Sequence, residues 1–177
     1  MRLAAALLAV VAAWAQPPLK QPTGPSNSER PLLSFAVMAD LEKQLDEKMS
    51  LAGGAEPIML IGYARTLYLM GYGAVVTQEI SLVNTPTISP FRQSISPQEV
   101  VQVHKKKVER LPLLKQTIRE LWTSAAGALN MVPNNEQIVV AVRLLYKSWE
   151  DTQGLPGQII VKGSRGAGIA RAQMEEQ

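Results

Sequence analysis

A single histidine, His104, and no cysteine set the limits of the chemistry open to this 177-residue chain. Zinc and copper centres draw on several imidazoles and thiolates, so their usual ligand sets are missing, and no D-x-D-x-D-G loop marks a calcium site. No serine stands in a G-x-S-x-G elbow. The run Gly163-Ser164-Arg165-Gly166-Ala167-Gly168 lacks both the G-x-G-x-x-G order and a lysine–serine pair, and reads as a flexible exit from a strand. His104 lies one helical turn from Val100 and one from Val108. A general base there needs a carboxylate partner, which its own helix face does not supply, so it reads as a core or boundary histidine. The linear sequence assigns no catalytic, cofactor-binding or metal-binding residue.

Two looser groupings remain. Glu79, His104 and Tyr72 are the residues from which a hydrolase site without a linear signature would be assembled. Lys105, Lys106 and Arg110 are the ones that would meet an anionic envelope polymer. Successive helical residues diverge by about 100°, so Lys105-Lys106-Lys107 cannot form one compact phosphate-binding surface. Lys107 leans toward the apolar side, where its stem would snorkel. The formal net charge of +3 is a weak excess and gives no reason to expect nucleic acid.

The element that must carry these groups is helical. Ser96, with Pro97 behind it and Glu99 three residues on, is a capping box. From there Leu111, Leu114, Ile118, Leu121 and Trp122, with Val100 and Val108 before them and Ala125 and Leu129 after, fall on one face at helical spacing. Pro112 predicts a kink in one helix or a break into two. An earlier helix is expected over residues 32–49, where Leu33, Val37, Leu41, Leu45 and Met49 recur among Asp40, Glu42, Asp46, Glu47 and lysines; its carboxylates read as a solvated surface.

Strands are expected at 63–69 and 74–83, joined by Gly71-Tyr72-Gly73, whose glycines suit a reversal. Val76, Ile80 and Leu82 form the dry face of the second strand; Val75, Thr77, Glu79 and Ser81 form the wet one. Gln78 sits on the dry side without a reason in the sequence. Residues 137–147 are apolar toward both sides, as in a central strand covered twice. A shorter strand follows at 158–162. These elements predict an α+β fold: a four-stranded antiparallel sheet of two hairpins, with the N-terminal helix and the long Pro-kinked helix packed on it.

Residues 1–15 carry Arg2, an apolar run and Ala13-Trp14-Ala15, the pattern of a secretory signal peptide cut after Ala15. Residues 16–31, with five prolines, read as a disordered leader, 32–165 as one domain, and 166–177 as a flexible tail. Cleavage removes Arg2 and no other charge, leaving +2. The mature chain is expected to be exported, periplasmic or extracellular, without a transmembrane segment, cofactor or disulfide.

The series RTLYLMGYGAVVTQEISL, SPQEVVQVHKKKVERLPLLKQTIRE and NEQIVVAVRLLYKSWEDTQGLPGQIIV resembles a group of uncharacterised exported bacterial proteins that share a GYG hairpin, a lysine-bearing helix and a WED turn in this order. The resemblance implies a common fold and export, and no activity. The resulting expectation is a non-enzymatic exported domain that binds or assembles with an unknown envelope protein or polymer.

Overall fold

The computed structural model describes residues 33–177; the expected signal peptide and proline-rich leader lie outside the described residues. Ser34 opens the first helix, α1 (Phe35–Ala52), by accepting the Val37 N–H on its hydroxyl at 3.3 Å. Leu41, Leu45 and Met49, four residues apart, are the side chains α1 buries. Two strands follow, β1 (Met59–Leu69) and β2 (Gly73–Ser81), paired antiparallel across the Gly71-Tyr72-Gly73 turn. Gly73 has φ +133°, and a Cβ there would run into the backbone of Gln137, so only glycine fits.

The long helix α2 (Pro97–Ala128) begins at the expected capping box, with Ser96 and Glu99 exchanging bonds. Arg92 pairs with Glu99, and this contact with the Ser96 cap holds the Glu99 carboxyl down at about 2. The helix runs unbroken through Pro112, which lies on its exposed side. Leu111, Leu114, Ile118, Leu121 and Trp122 are buried as the periodicity requires, whereas Val108 is exposed and its place on the buried side is taken by Lys107.

β3 (Gln137–Leu144), β4 (Gln158–Ser164) and β5 (Gln173–Glu176) complete a five-stranded sheet in the order β1-β2-β3-β4-β5. The expected four-stranded, all-antiparallel sheet is corrected in two respects. β2 and β3 are parallel, because a single helix spanning the layer returns the chain to the end at which β2 began. The tail expected to fray supplies the fifth strand, reached through two short 3-10 turns, Arg165–Ala167 and Ile169–Arg171. It is held by Gly166 N–H to the Asn134 carbonyl (2.9 Å) and by two ion pairs, Lys162–Glu175 (2.5 Å) and Lys115–Glu176 (2.7 Å). Gly163 lies against Trp122, where a Cβ would come within 3.2 Å of the indole, so it serves packing.

Both helices pack on one side of this sheet. Val76, Ile80, Val140, Val142, Ile159 and Val161 point into that layer. Trp122 is anchored there by its indole N–H, 2.8 Å from the Ile138 carbonyl. No helix among the described residues is long and apolar enough to cross a membrane.

The carboxylates of α1 do more than solvate it. β1 is an edge strand, and its irregular register near Gly62 and Arg65 leaves outward N–H groups. Asp46 accepts the Ala64 N–H at 2.8 Å and Glu42 accepts the Thr66 N–H at 2.6 Å, so two carboxylates one helical turn apart stand where another strand would dock. Asp46 also accepts Gln78 Nε2 at 2.6 Å, which explains a buried glutamine on the dry side of β2.

Substituting Asp46→Ala strands the Ala64 N–H and the Gln78 amide together and should cost about 1–3 kcal/mol in urea unfolding. Glu47→Ala, one position on and exposed, should leave the midpoint where it is.

Candidate functional site

The sheet separates the residues from which a hydrolase site would be built. Glu79 lies on the side that carries no helix, 3.5 Å from Arg143, in a cleft of about 530 Å³ that also includes Tyr63, Arg65 and Gln158. His104 is on α2, across the sheet. Its Nδ1 is 3.1 Å from the Asp151 carbonyl and 3.9 Å from the Asp151 carboxylate. Tyr72 is at the β1–β2 turn, in another cleft of about 480 Å³ with Gln137, Lys162 and Arg171. The three side chains thus occupy three different places, and His104 lines neither cleft. Asp151 gives His104 the acidic neighbour its own helix lacks, and it arrives from a loop 47 residues away that spacing along α2 could not reveal.

The cationic set is already engaged. Lys106 Nζ is 3.2 Å from Glu56. Arg110 reaches both the Glu56 carbonyl and, at 3.8 Å, its carboxylate. Lys105 points elsewhere, 3.9 Å from Glu109. Glu56 and Lys106 share a cleft of about 450 Å³ with Pro57, Met59 and Asn84, and an anion entering it would have to displace the Glu56 carboxylate.

Lys107 does not snorkel. Its side chain and that of Glu150 are each 1% exposed; they form an ion pair, and the ammonium also sits 4.6 Å from the centre of the Tyr146 ring. Burial, and secondarily the Glu150 charge, push the Tyr146 phenol up to about 12. This cluster ties α2 to the loop after β3. Its members lie among packed side chains, and the pairing of Lys107 with Glu150 matches two opposite charges taken out of water together.

One side of the sheet carries no helix among the described residues. The register lines up its residues in rows across the strands: Leu67, Val75, Val139 and Lys162; then Arg65, Thr77, Ala141, Ile160 and Glu175; then Gly62, Glu79, Arg143 and Gln158. Met59, Ile61, Tyr63 and Leu69 extend β1's contribution, and with Leu67 they are exposed by 40 to 70%. The face expected to be wet is thus mixed, with its exposed apolar side chains on β1, whereas on β3 both sides are largely out of water, Val139 and Ala141 being buried on the helix-free side and only Arg143 exposed. The signal was present in β1, where Met59, Ile61, Leu67 and Leu69 interleave with Leu60, Ala64 and Tyr68 so that neither side is polar.

Removing one partner of the buried pair, Lys107→Met, should cost about 3–5 kcal/mol, and the double change Lys107→Met with Glu150→Leu should recover most of it in chemical denaturation. An unfolded tyrosine loses its proton near 10, whereas folded Tyr146 keeps it to about 12. Its contribution is complete below pH 10 and lost as pH rises from about 10 to about 12, so Tyr146→Phe should flatten the alkaline fall in stability. Set beside known protein families, curated proteins and solved structures, the chain matches none of them.

Proposed function

We propose that this chain is an exported, non-enzymatic domain of the bacterial envelope that works by binding or assembly through the helix-free side of its sheet. The observation carrying this reading is the outward side of β1, where Met59, Ile61, Tyr63, Leu67 and Leu69 are all exposed on the helix-free side of the sheet. Such an area in water is unfavourable by about 25 cal/mol for each Å² of apolar surface, and soluble chains seldom leave one larger than a few hundred Å². Export is supported by the pattern of residues 1–15 and by the resemblance to exported bacterial proteins.

The two rival readings have less support. A hydrolase would need Glu79, His104 and Tyr72 to converge, and they lie on different sides and ends of the sheet. A receptor for anionic polymers would need Lys106 and Arg110 to give up Glu56.

The mature chain should retain an envelope component that persists at raised salt, since apolar contacts are not screened while contacts to an anionic polymer are. Leu67→Lys should abolish retention, and His104→Ala and Lys106→Glu should leave it intact. Retention that disappears with salt and with Lys106→Glu would instead support the polymer reading.

A further inference from the structure

We propose that the cleft of about 530 Å³ on the helix-free side, beside the exposed apolar residues of β1, is a saccharide site that takes a neutral sugar unit of an envelope glycan. The inference rests on the binding reading above and names its class of ligand. The cleft is a recess with a low floor and tall walls. Thr77 and Ala141 are its short side chains, and Tyr63, Glu79, Arg143 and Gln158 stand around them. Ala141 is only 9% exposed although no helix lies over it, so it is shaded by the longer side chains beside it. A Cβ at position 62 would rest on the Glu79 side chain at 3.4 Å; the glycine there keeps that carboxylate open to the cleft.

The chemistry of the lining selects a sugar. The Tyr63 ring, 70% exposed, offers a flat apolar face with a hydroxyl at its tip. A pyranose is built the same way, with a face of C–H groups and an edge of hydroxyls. Around the ring, Glu79 accepts hydrogen bonds, Arg143 donates them, and Thr77 and Gln158 do both. A sugar hydroxyl also does both, so neighbouring hydroxyls can bridge the Glu79 carboxylate and the Arg143 guanidinium, which lie 3.5 Å apart with side chains 46% and 66% exposed.

Other ligand classes fit less well. Arg143 faces Glu79, and Arg65, also in the cleft, lies 3.4 Å from Glu42, so a ligand of one sign meets an opposing charge beside each attractive one. A peptide strand binds along a free sheet edge and sinks alternate side chains into pockets. Here Glu42 and Asp46 occupy the outward N–H groups of β1, and the apolar groups of the cleft are the Tyr63 ring and the Ala141 methyl.

The test screens the purified chain on an array of neutral, acidic and amino oligosaccharides and follows the best neutral binder by amide NMR titration. Binding should survive about 0.5 M salt, because contacts to a neutral sugar are not screened, and should shift the amides of Tyr63, Thr77, Ala141 and Arg143. Tyr63→Ala should raise the Kd about tenfold or more, Tyr63→Phe should keep it within about threefold because the ring remains, and Tyr72→Ala in the separate cleft should leave it unchanged. The amide spectra show directly that each variant is folded. The absence of any neutral binder, binding indifferent to Tyr63→Ala, or binding confined to acidic sugars and lost in salt each overturns the proposal. Envelope retention that is abolished by Leu67→Lys, found without sugar binding, removes the saccharide and leaves the binding reading standing; loss of both removes both.

Discussion

A sheet whose strands carry apolar side chains toward both sides needs two layers of cover, and residues 33–177 supply one. That imbalance organises the molecule. α1 and α2 take the side that receives Val76, Ile80, Val140 and Ile159, and they bury it completely. On the other side Val139 and Ala141 are shielded by neighbouring side chains, and the apolar residues left in water are those of β1: Met59, Ile61, Tyr63, Leu67 and Leu69. Parallel or doubly covered strands commonly read as continuous apolar runs, and β3, Gln137–Leu144, has that composition although it is flanked by helices on one side alone.

The charged residues that invite a chemical reading are engaged in positioning. Glu42 and Asp46 hold the exposed N–H groups of β1, closing an edge that would otherwise accept another strand. Lys107 and Glu150 fasten the start of α2 to the loop after β3 from within the packed interior. Lys147 gathers the Thr85 and Pro86 carbonyls at 2.9 and 2.8 Å and the Thr87 hydroxyl at 3.0 Å, fixing the connection that leads from β2 toward α2. Each of these is a long-range contact in which a charge satisfies a group that folding removes from water. Together they leave the helix-free face as the side of the sheet without a layer of secondary structure among the described residues.

Much of the local structure was legible from residue order. Ser96, Pro97 and Glu99 mark the start of α2 because a cap and its reciprocal carboxylate are separated by three residues, a local relation. The buried stripe of α2 and the dry face of β2 follow from periods of 3.6 and 2, which depend on backbone geometry alone. Where periodicity placed Val108 inside and Lys107 on the margin, the structure reverses them. The stabilisation of a buried lysine depends on Glu150, which lies 43 residues along the chain and leaves no mark on helical spacing.

By itself the sequence determined the two helices and the approximate places of β1 to β4, the lack of thiol chemistry, and the apolar character of both sides of β3, all properties of neighbouring residues and composition. Only the tertiary structure decided that β2 and β3 run parallel, that the tail becomes a fifth strand, that Asp151 stands beside His104, and that Glu79 and His104 lie on opposite sides of a sheet. Those outcomes turn on which distant segments share the two faces and edges of one layer. Strand pairing and burial select among such arrangements, and local periodicity is equally consistent with several of them.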